Sequence, residues 1–299
     1  MRWMRNAWIG GFTLLTLLST GSLAHGSPDT DPPPDRRMAI TVDDLPIVAA
    51  SLYRDDAHRL EMVQNFCELI EGRELPVTGF VNMERHAGQP ELLERWKRAG
   101  IRLANHTWSH PHPDKVGLEA YLADLDRGHE AVKEHVPQGA VIPFRYPYLG
   151  QSFDPATRDA IRARLAELGS PYAPVTIDTS DWLYAKGYVQ ARVEGDEATA
   201  ERYRQSWWWN MQEATELAEW QARELFGREP PQILLLHANE LNADHLGAYL
   251  DWAEDRGYRF VTLDEALADP AYAEPDPSLS PTGDSLWLRL KRSRTMTAE

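Results

Sequence analysis

Cysteine is nearly absent from the sequence, since Cys67 is the single one among 299 residues. One thiol cannot form an intramolecular disulfide, which excludes a disulfide-stabilised scaffold even in an oxidising compartment. Cys67 lies in an apolar-periodic stretch, residues 60–70, and no neighbouring histidine forms a recognisable catalytic pattern with it. We therefore expect Cys67 to be a small buried hydrophobe rather than a nucleophile.

Basic residues are also scarce, with 31 Lys and Arg against 46 Asp and Glu and a formal net charge of −15. This balance argues against binding nucleic acid or an anionic membrane through broad charge attraction. It is compatible with a neutral or cationic substrate, and equally with an acidic surface kept for solubility.

The clearest long apolar run lies near the N-terminus, at residues 7–18, after the basic residues Arg2 and Arg5. Small residues at Ser22 and Ala24 then predict a signal peptide, residues 1–24, with cleavage after Ala24. The run is shorter than the roughly 20 apolar residues of a transmembrane helix. We expect export to the periplasm or the exterior without stable membrane insertion; an uncleaved membrane anchor is the alternative.

Strand-like and helix-like segments alternate after a Pro-rich linker, residues 25–37. Parallel β/α architecture follows from this alternation, and about seven units predict a distorted (β/α) barrel over residues 38–270. The predicted strands cover residues 38–42, 77–82, 102–104, 141–144, 172–177, 233–236 and 259–262. Catalytic residues of such barrels follow the strands.

Two segments depart from the alternation. Residues 184–228 predict one or two long helices inserted before the strand at 233–236, and residues 271–299 predict a polar, peripheral, partly disordered tail. The insertion contains three consecutive tryptophans, residues 207–209. These could stack on sugar rings, but packing of two of them inside the helix bundle is favoured.

An acidic pair, Asp43 and Asp44, follows the first strand. Adjacent carboxylates resist joint ionisation, and a bound cation removes that conflict. One carboxylate can then bind the metal while the other acts as a base. An ordinary acidic turn before Pro46 is the alternative for this motif alone.

A histidine pair, His106 and His110, follows the third strand at a four-residue spacing. That spacing suits two imidazoles on one metal ion. With Asp44, the pair predicts a two-histidine, one-carboxylate site that leaves positions open for water and substrate. His112 breaks the spacing and is expected not to be a ligand.

Two further strand ends carry polar residues. Arg145 follows residues 141–144 and could hold a carboxylate ionised, although a lone Arg more often pairs with a surface acid. His237 ends the apolar strand at 233–236 and, alone, is more often a core residue bonded to a carbonyl. Asp178 and Trp182 follow the strand at 172–177.

In this order, the segments resemble the five motifs of the polysaccharide deacetylases, carbohydrate esterase family 4, also called the NodB-like domain. The matching segments are residues 41–46, 106–110, 145–148, 178–182 and 234–237. Each motif is weak alone, but five in register are strong. The similarity extends from about residue 38 to residue 263.

The resemblance implies a role for each matching residue. Asp44, His106 and His110 would bind a divalent metal, most often Zn²⁺. Asp43 would be the general base, held ionised by Arg145, and His237 the general acid, tuned by Asp178. The backbone N–H of Tyr148 would complete the oxyanion site, and Trp182 would line the acetyl pocket.

The substrate implied is an acetylated glycan, an amino-sugar polymer or oligosaccharide of the peptidoglycan or chitin type. The family usually carries Phe at position 42 and Gly at position 45, where this chain has Val42 and Leu45. A changed loop shape at Leu45 and the long insertion leave open a hydrolase of a small amide, imide or O-acetyl ester. An inactive carbohydrate-binding protein is a separate alternative, against which every predicted ligand, base and acid position is filled by a competent residue.

Overall fold

The computed structural model describes residues 35–279 and 283–296, with the side chain of Met296 outside the description. The predicted signal peptide, residues 1–24, therefore lies outside the described residues. The strands are β1 (Arg36–Leu45), β2 (Thr78–Val81), β3 (Arg102–Asn105), β4 (Ile177–Asp178), β5 (Gln232–His237) and β6 (Tyr258–Val261). The helices of the first half are α1 (Asp56–Gly72), α2 (Met83–Ala87), α3 (Pro90–Arg98), α4 (Pro113–Val116), α5 (Leu118–Lys133) and α6 (Pro155–Glu167). Those of the second half are α7 (Asp181–Glu194), α8 (Glu197–Phe226), α9 (Glu240–Asp255), α10 (Leu263–Leu267) and α11 (Leu286–Met296).

The strands pair in parallel around β1. One edge of β1 pairs with β5, while β2 and β6 pair with different parts of its length. β2 continues to β3, and β4 pairs with β5. Every named pairing is parallel, as strand–helix alternation predicts.

The barrel closes between β3 and β4 through two single bridges, Asn105 to Phe144 and Phe144 to Tyr172. The prediction of a continuous strand at 141–144 is therefore wrong. Of the strand predicted at 172–177, only the last residue lies in a strand, β4. Pro143, Pro171 and Pro174 explain this, since proline has no N–H to donate to a ladder. The side of the barrel opposite β1 is held by isolated hydrogen bonds.

The predicted linker, residues 25–37, is wrong at its C-terminal end, because β1 already begins at Arg36. Arg36 and Arg37 pair in register with Tyr258 and Arg259 of β6. The Arg36 Nε also donates to Glu229 Oε2 at 2.6 Å. These contacts extend the first strand by two residues beyond its apolar part.

The core lies between the barrel and the surrounding helices, and Cys67 on α1 is fully buried in it, as expected. Burial raises the pKa of the Cys67 thiol to about 12. A thiol in such surroundings stays protonated and inert at neutral pH.

The predicted insertion is two helices, most of α7 and all of α8, packed against each other. A β-carbon at Gly187 would lie 2.1 Å from the Tyr203 ring, so Gly187 lets α7 and α8 approach closely. Of the three tryptophans, Trp207 is buried, Trp208 is half-buried and Trp209 is 66% exposed. Two of the three therefore pack against the core, as expected, Trp207 fully and Trp208 in part.

The predicted polar C-terminal tail, residues 271–299, is not peripheral in its described part. α11 buries Leu286, Trp287 and Leu290, and the Trp287 Nε1 donates to Gln232 Oε1 at 2.9 Å. Arg289 is also buried and donates to Asp276 Oδ2 at 2.8 Å. The sequence does not reveal this helix, because its short apolar face lies among polar residues.

Among the helices of residues 35–279 and 283–296, none combines the length and the apolar character needed to cross a membrane.

Candidate active site

A cavity of about 500 Å³ opens at the carboxyl ends of the strands, where a parallel barrel presents its site. All but one of the predicted site residues line it. They are Asp43, Asp44, His106, His110, Tyr148, Asp178, Trp182 and His237. The remaining one, Arg145, is fully buried beneath Asp43.

Strand register brings the predicted base and acid side by side. Asp43 on β1 is the direct partner of His237 on β5. Because paired residues of neighbouring strands point to the same face of the sheet, both side chains lie on one face, and both line the cavity.

Asp44, His106 and His110 form a group whose ligand atoms all lie within 4.8 Å of one another. His110 Nε2 lies 3.3 Å from Asp44 Oδ1, and His106 Nε2 lies 4.0 Å from the same oxygen. His106 Nδ1 is 3.0 Å from the Arg145 carbonyl oxygen. Donation from Nδ1 to that carbonyl leaves Nε2 with its lone pair facing the group, which is the arrangement of a metal-binding histidine.

Arg85 on α2 also reaches this group. Its Nη1 lies 2.9 Å from Asp44 Oδ1, although the angles give that buried oxygen no hydrogen bond among the described residues. Burial opposes ionisation of Asp44, but His110 and Arg85 hold the pKa of its carboxyl well below the ordinary value. The carboxylate is therefore present as an anion with an unsatisfied oxygen.

Both histidines of the group are neutral at pH 7. Burial lowers the pKa of His106 and of His110 to about 4 in each case, against the attraction of Asp44. Neutral imidazole is the form that binds a metal ion.

The loop that carries the two histidines is held by α5. Asp124 Oδ1 accepts hydrogen bonds from the backbone N–H groups of Trp108 and Ser109, each at 2.9 Å. A β-carbon at Gly128, one turn further along α5, would lie 2.5 Å from the Thr107 carbonyl carbon. Gly128 therefore allows the loop to lie against the helix, and Asp124 fixes its course.

Arg145 packs under Asp43 with no exposed surface. Its Nη1 donates at 2.7 Å to both Asp43 Oδ1 and Thr41 Oγ1, and its Nε donates to the Ala173 carbonyl at 3.1 Å. Its guanidinium carbon lies 4.1 Å from the centre of the Phe80 ring. Burial raises the pKa of the Asp43 carboxyl above its ordinary value, although Arg145 opposes the rise. Asp43 is therefore more basic than an exposed aspartate.

His237 is paired with Asp181, which corrects the prediction that Asp178 tunes it. Asp181 Oδ1 lies 2.6 Å from His237 Nδ1, and Asp181 Oδ2 accepts the His237 backbone N–H at 3.0 Å. Burial alone would lower the pKa of His237, but Asp181 raises it to about 9. Asp178 is in register with Leu235, two residues before the histidine, and accepts the Ser180 N–H at 2.9 Å instead.

Two asparagines extend the pairing behind the histidine. Asn239 and Asn242 donate to Asp181 Oδ2 at 2.7 and 2.5 Å. Trp207 Nε1 then donates to Asn242 Oδ1 at 3.2 Å. A buried tryptophan of the inserted helix α8 is thus linked through Asn242 and Asp181 to His237.

The cavity wall is conformationally strained. Nine described non-glycine residues have positive φ, and five of them line the cavity. Non-glycine residues adopt this region at an energetic cost, and they cluster at functional sites. The five are Asp44, His110, Tyr148, Leu149 and Ser180.

Leu45 does not take a positive φ, so it does not need the backbone that a glycine would supply. Its side chain is buried against Gly79, where an added β-carbon would lie 2.2 Å from Leu45 Cδ1. The chain accommodates the larger residue at position 45 by having no side chain at position 79.

Sequence reasoning did not assign roles to Asp181, Asn242 or Arg85. Asp181 lies inside a motif already noted, three residues after Asp178 and at the first position of α7, where acids are favoured. Asn242 and Arg85 carry no comparable signal, because their contacts depend on how distant helices pack. His112 stands outside the group of Asp44, His106 and His110, and it caps the N-terminus of α4, where its Nδ1 accepts the Asp114 N–H at 3.2 Å.

Known sequences that are similar to this chain include deacetylases, in agreement with the geometry of the cavity. A sequence profile described as polysaccharide deacetylase matches residues 30–172. An uncharacterised protein of Geobacillus stearothermophilus is 22% identical over 222 residues, covering 74% of this chain and 71% of that protein. The peptidoglycan-N-acetylglucosamine deacetylase PgdA of Listeria monocytogenes is 22% identical over 240 residues. That match covers 79% of this chain and only 40% of PgdA.

Solved structures show the same barrel. A family 4 carbohydrate esterase from Streptomyces lividans, determined with acetate, has a TM-score of 0.50 and 18% identity, covering 77% of this chain and 95% of the other. A carbohydrate esterase family 4 pseudoenzyme from Bacillus anthracis has a TM-score of 0.52 and 15% identity, covering 79% and 66%. These likenesses confirm the expected barrel, and the profile match over residues 30–172 confirms the resemblance to polysaccharide deacetylases of carbohydrate esterase family 4, the NodB-like domain, for the three motifs that lie in that range.

Proposed function

We propose that this chain is an exported, metal-dependent deacetylase that hydrolyses N-acetyl groups of an amino-sugar polymer or oligosaccharide. The observation that carries the proposal is the register pair of Asp43 and His237 beside the group of Asp44, His106 and His110. A base and an acid next to three metal-binding side chains are what hydrolysis of an amide requires.

A divalent cation fits the group. Asp44 offers a buried anionic oxygen without a hydrogen bond, and the two imidazoles are neutral. Two nitrogens and one carboxylate suit Zn²⁺ and leave room for other ligands. When bound, such an ion supplies Lewis acidity and lowers the pKa of water in contact with it.

Asp43 acts as the general base in this proposal. Its Oδ1 is held by Arg145 at 2.7 Å, and its Oδ2 lies 3.8 Å from His106 Nε2, on the side of the metal-binding group. Oδ2 is therefore the atom that removes a proton from the attacking water, while the new C–O bond forms at the acetyl carbonyl. The backbone N–H of Tyr148 donates to the oxygen that becomes negatively charged.

His237 acts as the general acid. With its pKa raised to about 9, it is protonated at neutral pH. It donates the proton from Nε2 to the leaving nitrogen as the C–N bond breaks, while Asp181 holds Nδ1. Acetate and a free amine are the products. Acid and base participation of this kind contributes roughly 10²–10⁴-fold to the rate.

A glycan is the substrate class that the relatives support, since PgdA is named a peptidoglycan-N-acetylglucosamine deacetylase. The cavity opens beside two exposed aromatic side chains, Tyr148 at 51% and Trp182 at 50% exposure. Their faces suit the apolar faces of a sugar ring. The apolar run at residues 7–18 supports export, which N-terminal sequencing of the secreted chain would test through cleavage after Ala24.

Metal content and acetate release test the proposal together. Purified wild type, Asp43→Asn, His106→Gln and a control, Asp255→Asn at an exposed position of α9, would be assayed with chitin oligosaccharides, peptidoglycan, O-acetylated xylan and small amides. We expect one divalent ion per chain in all but His106→Gln, and acetate release that Asp43→Asn loses by about 10²-fold or more.

Three different outcomes would contradict the proposed function. A wild-type protein that binds no divalent ion would refute the mechanism. Metal binding with activity only on small amides or esters would assign a different substrate. Metal binding without acetate release from any compound would place the chain with the inactive members, such as the Bacillus anthracis pseudoenzyme.

A further inference from the structure

A second cavity lies on the surface of the insertion. It has a volume of about 510 Å³ and is lined by Tyr184 of α7 and by one face of α8. Trp209 projects from that face with 66% of its surface exposed, the highest exposure among the large hydrophobic residues of the described chain. Exposing a tryptophan to this degree has a cost in solvation, which a ligand would recover.

The face of α8 is continuous along the helix axis. Its cavity-lining residues recur at helical spacing, so they form a stripe that α7 does not cover. The span from the first to the last is eleven residues, or about 16 Å at the rise of an α-helix. The stripe consists of Arg202, Gln205, Ser206, Trp209, Asn210 and Glu213.

The second cavity is joined to the catalytic cavity by the start of α7. Asn210 donates from Nδ2 to the Thr179 carbonyl, so the stripe lies directly against the segment that carries Ser180 and Trp182. Both of those residues line the catalytic cavity, and Tyr184 lines the second. A ligand long enough to pass around the first turn of α7 can therefore contact both.

The chemistry of the stripe selects the ligand. One Arg and one Glu balance each other in charge, so the surface offers no net attraction for an anion. The rest of the cavity lining is two aromatic rings, Trp209 of the stripe and Tyr184 of α7, with two amides and a hydroxyl of the stripe. Aromatic faces with neutral donors and acceptors match a sugar ring, which has apolar faces and an edge of hydroxyl groups.

We propose that this second cavity is a binding subsite for a further sugar residue of the glycan whose acetamido group enters the catalytic cavity. Trp209 and Tyr184 stack on the ring, and the polar residues of the stripe bind its hydroxyl groups. This inference rests on the proposed function, and it assigns to the insertion the selection of long glycan chains over short ones.

Chain-length dependence of the kinetics tests the subsite. Deacetylation of N-acetylglucosamine oligomers with two to six residues would be measured for wild type, Trp209→Ala, Tyr184→Ala and Trp209→Phe. The control is Trp220→Ala, which removes a comparably exposed tryptophan, at 46%, from α8 outside the stripe. We expect Trp209→Ala to raise KM for the hexamer roughly 2- to 10-fold more than for the dimer, with Trp209→Phe recovering part of it.

Binding without turnover separates this proposal from the proposed function. Hexamer binding to Asp43→Asn, measured by calorimetry, should weaken on adding Trp209→Ala and not on adding Trp220→Ala. If acetate is released but neither KM nor binding of the hexamer responds to Trp209→Ala, the subsite is refuted and the deacetylase stands. If hexamer binding depends on Trp209 while no acetate is released, the subsite stands and the deacetylase does not. Absence of hexamer binding to the wild type refutes the subsite.

Discussion

Asp181 Oδ1 lies 2.6 Å from His237 Nδ1, and the other oxygen of the same carboxylate accepts the backbone N–H of His237 at 3.0 Å. The aspartate thereby fixes both the ring and the main chain of the histidine. Because it is buried and anionic beside the imidazole, it stabilises the protonated form. A histidine held in this way is suited to donate a proton, which is a different task from that of the neutral His106 and His110.

We predict that Asp181→Asn moves the alkaline limit of activity to lower pH. His237 must be protonated to act as the acid, so wild-type kcat should fall as pH rises through about 9. Removing the negative charge of Asp181 lowers the pKa of His237, so the fall should begin nearer its ordinary value of about 6.5. The measurement is kcat against pH from 5 to 10. Asp178→Asn is the matched comparison, and an equal displacement in both variants would refute the assignment of Asp181.

We predict that Asp124→Ala weakens metal binding without touching a ligand. Asp124 holds the backbone of Trp108 and Ser109, and its loss frees the loop that positions His110. The dissociation constant for Zn²⁺, measured by chelator competition, should rise about 10-fold. Asp126→Ala removes a neighbouring acid of α5 that instead pairs with Arg164, and it should leave the constant unchanged. Equal constants for the two variants would count against the role of Asp124.

Substitution of Arg85 is predicted to strengthen Zn²⁺ binding, whereas substitution of Asp124 weakens it. Its guanidinium lies 2.9 Å from the carboxylate oxygen of Asp44 that faces the two histidines, so it competes with a cation for that oxygen. Arg85→Gln should therefore bind Zn²⁺ more tightly, by about 10-fold, which is the lower end of the range over which residues next to metal ligands change affinity. Arg98→Gln, at an exposed position, is the control. Weaker binding by Arg85→Gln would show that the arginine supports the site instead.

The contact between Gly79 and Leu45 predicts a compensating pair of substitutions. A β-carbon at position 79 would overlap Leu45 Cδ1, so Gly79→Ala should lower the free energy of unfolding by about 1–3 kcal/mol. Adding Leu45→Ala removes the overlapping atoms, so the double variant should lose less than the sum of the two single variants. Urea denaturation of all four proteins gives the coupling energy. Strict additivity would mean that the two positions do not share this space.

Much of the barrel was predictable because its strands are apolar runs that end in polar residues. Residues 233–236 and the acidic pair near the end of β1 follow that pattern, and β5 and β1 lie where it predicts them. The pattern misled at residues 141–144, where prolines remove the donors of a strand that is otherwise apolar. It also failed at α11, because its buried face is short and lies among charged residues.

The residues of the candidate site could be predicted from the sequence, whereas several of their hydrogen-bond partners could not. Asp43, Asp44, His106 and His110 lie together because the carboxyl ends of β1 and β3, with β2 between them, meet at the same end of the barrel, which local sequence can indicate. The partner of His237 could not be read in this way, because two aspartates lie three residues apart and only the start of α7 determines which one faces the ring. Arg85 and Asn242 reach the site through helix packing, which has no local signature.

The hydrogen bond from Trp207 to Asn242 has a consequence for engineering the chain. An insertion that merely decorates a barrel can be shortened or exchanged between relatives with little effect on the chemistry. Here the inserted helix supplies a donor that orients the asparagine behind Asp181 and His237. Deleting α8 would thus remove a support of that pair, so the insertion has to be kept with the barrel in any shortened chain.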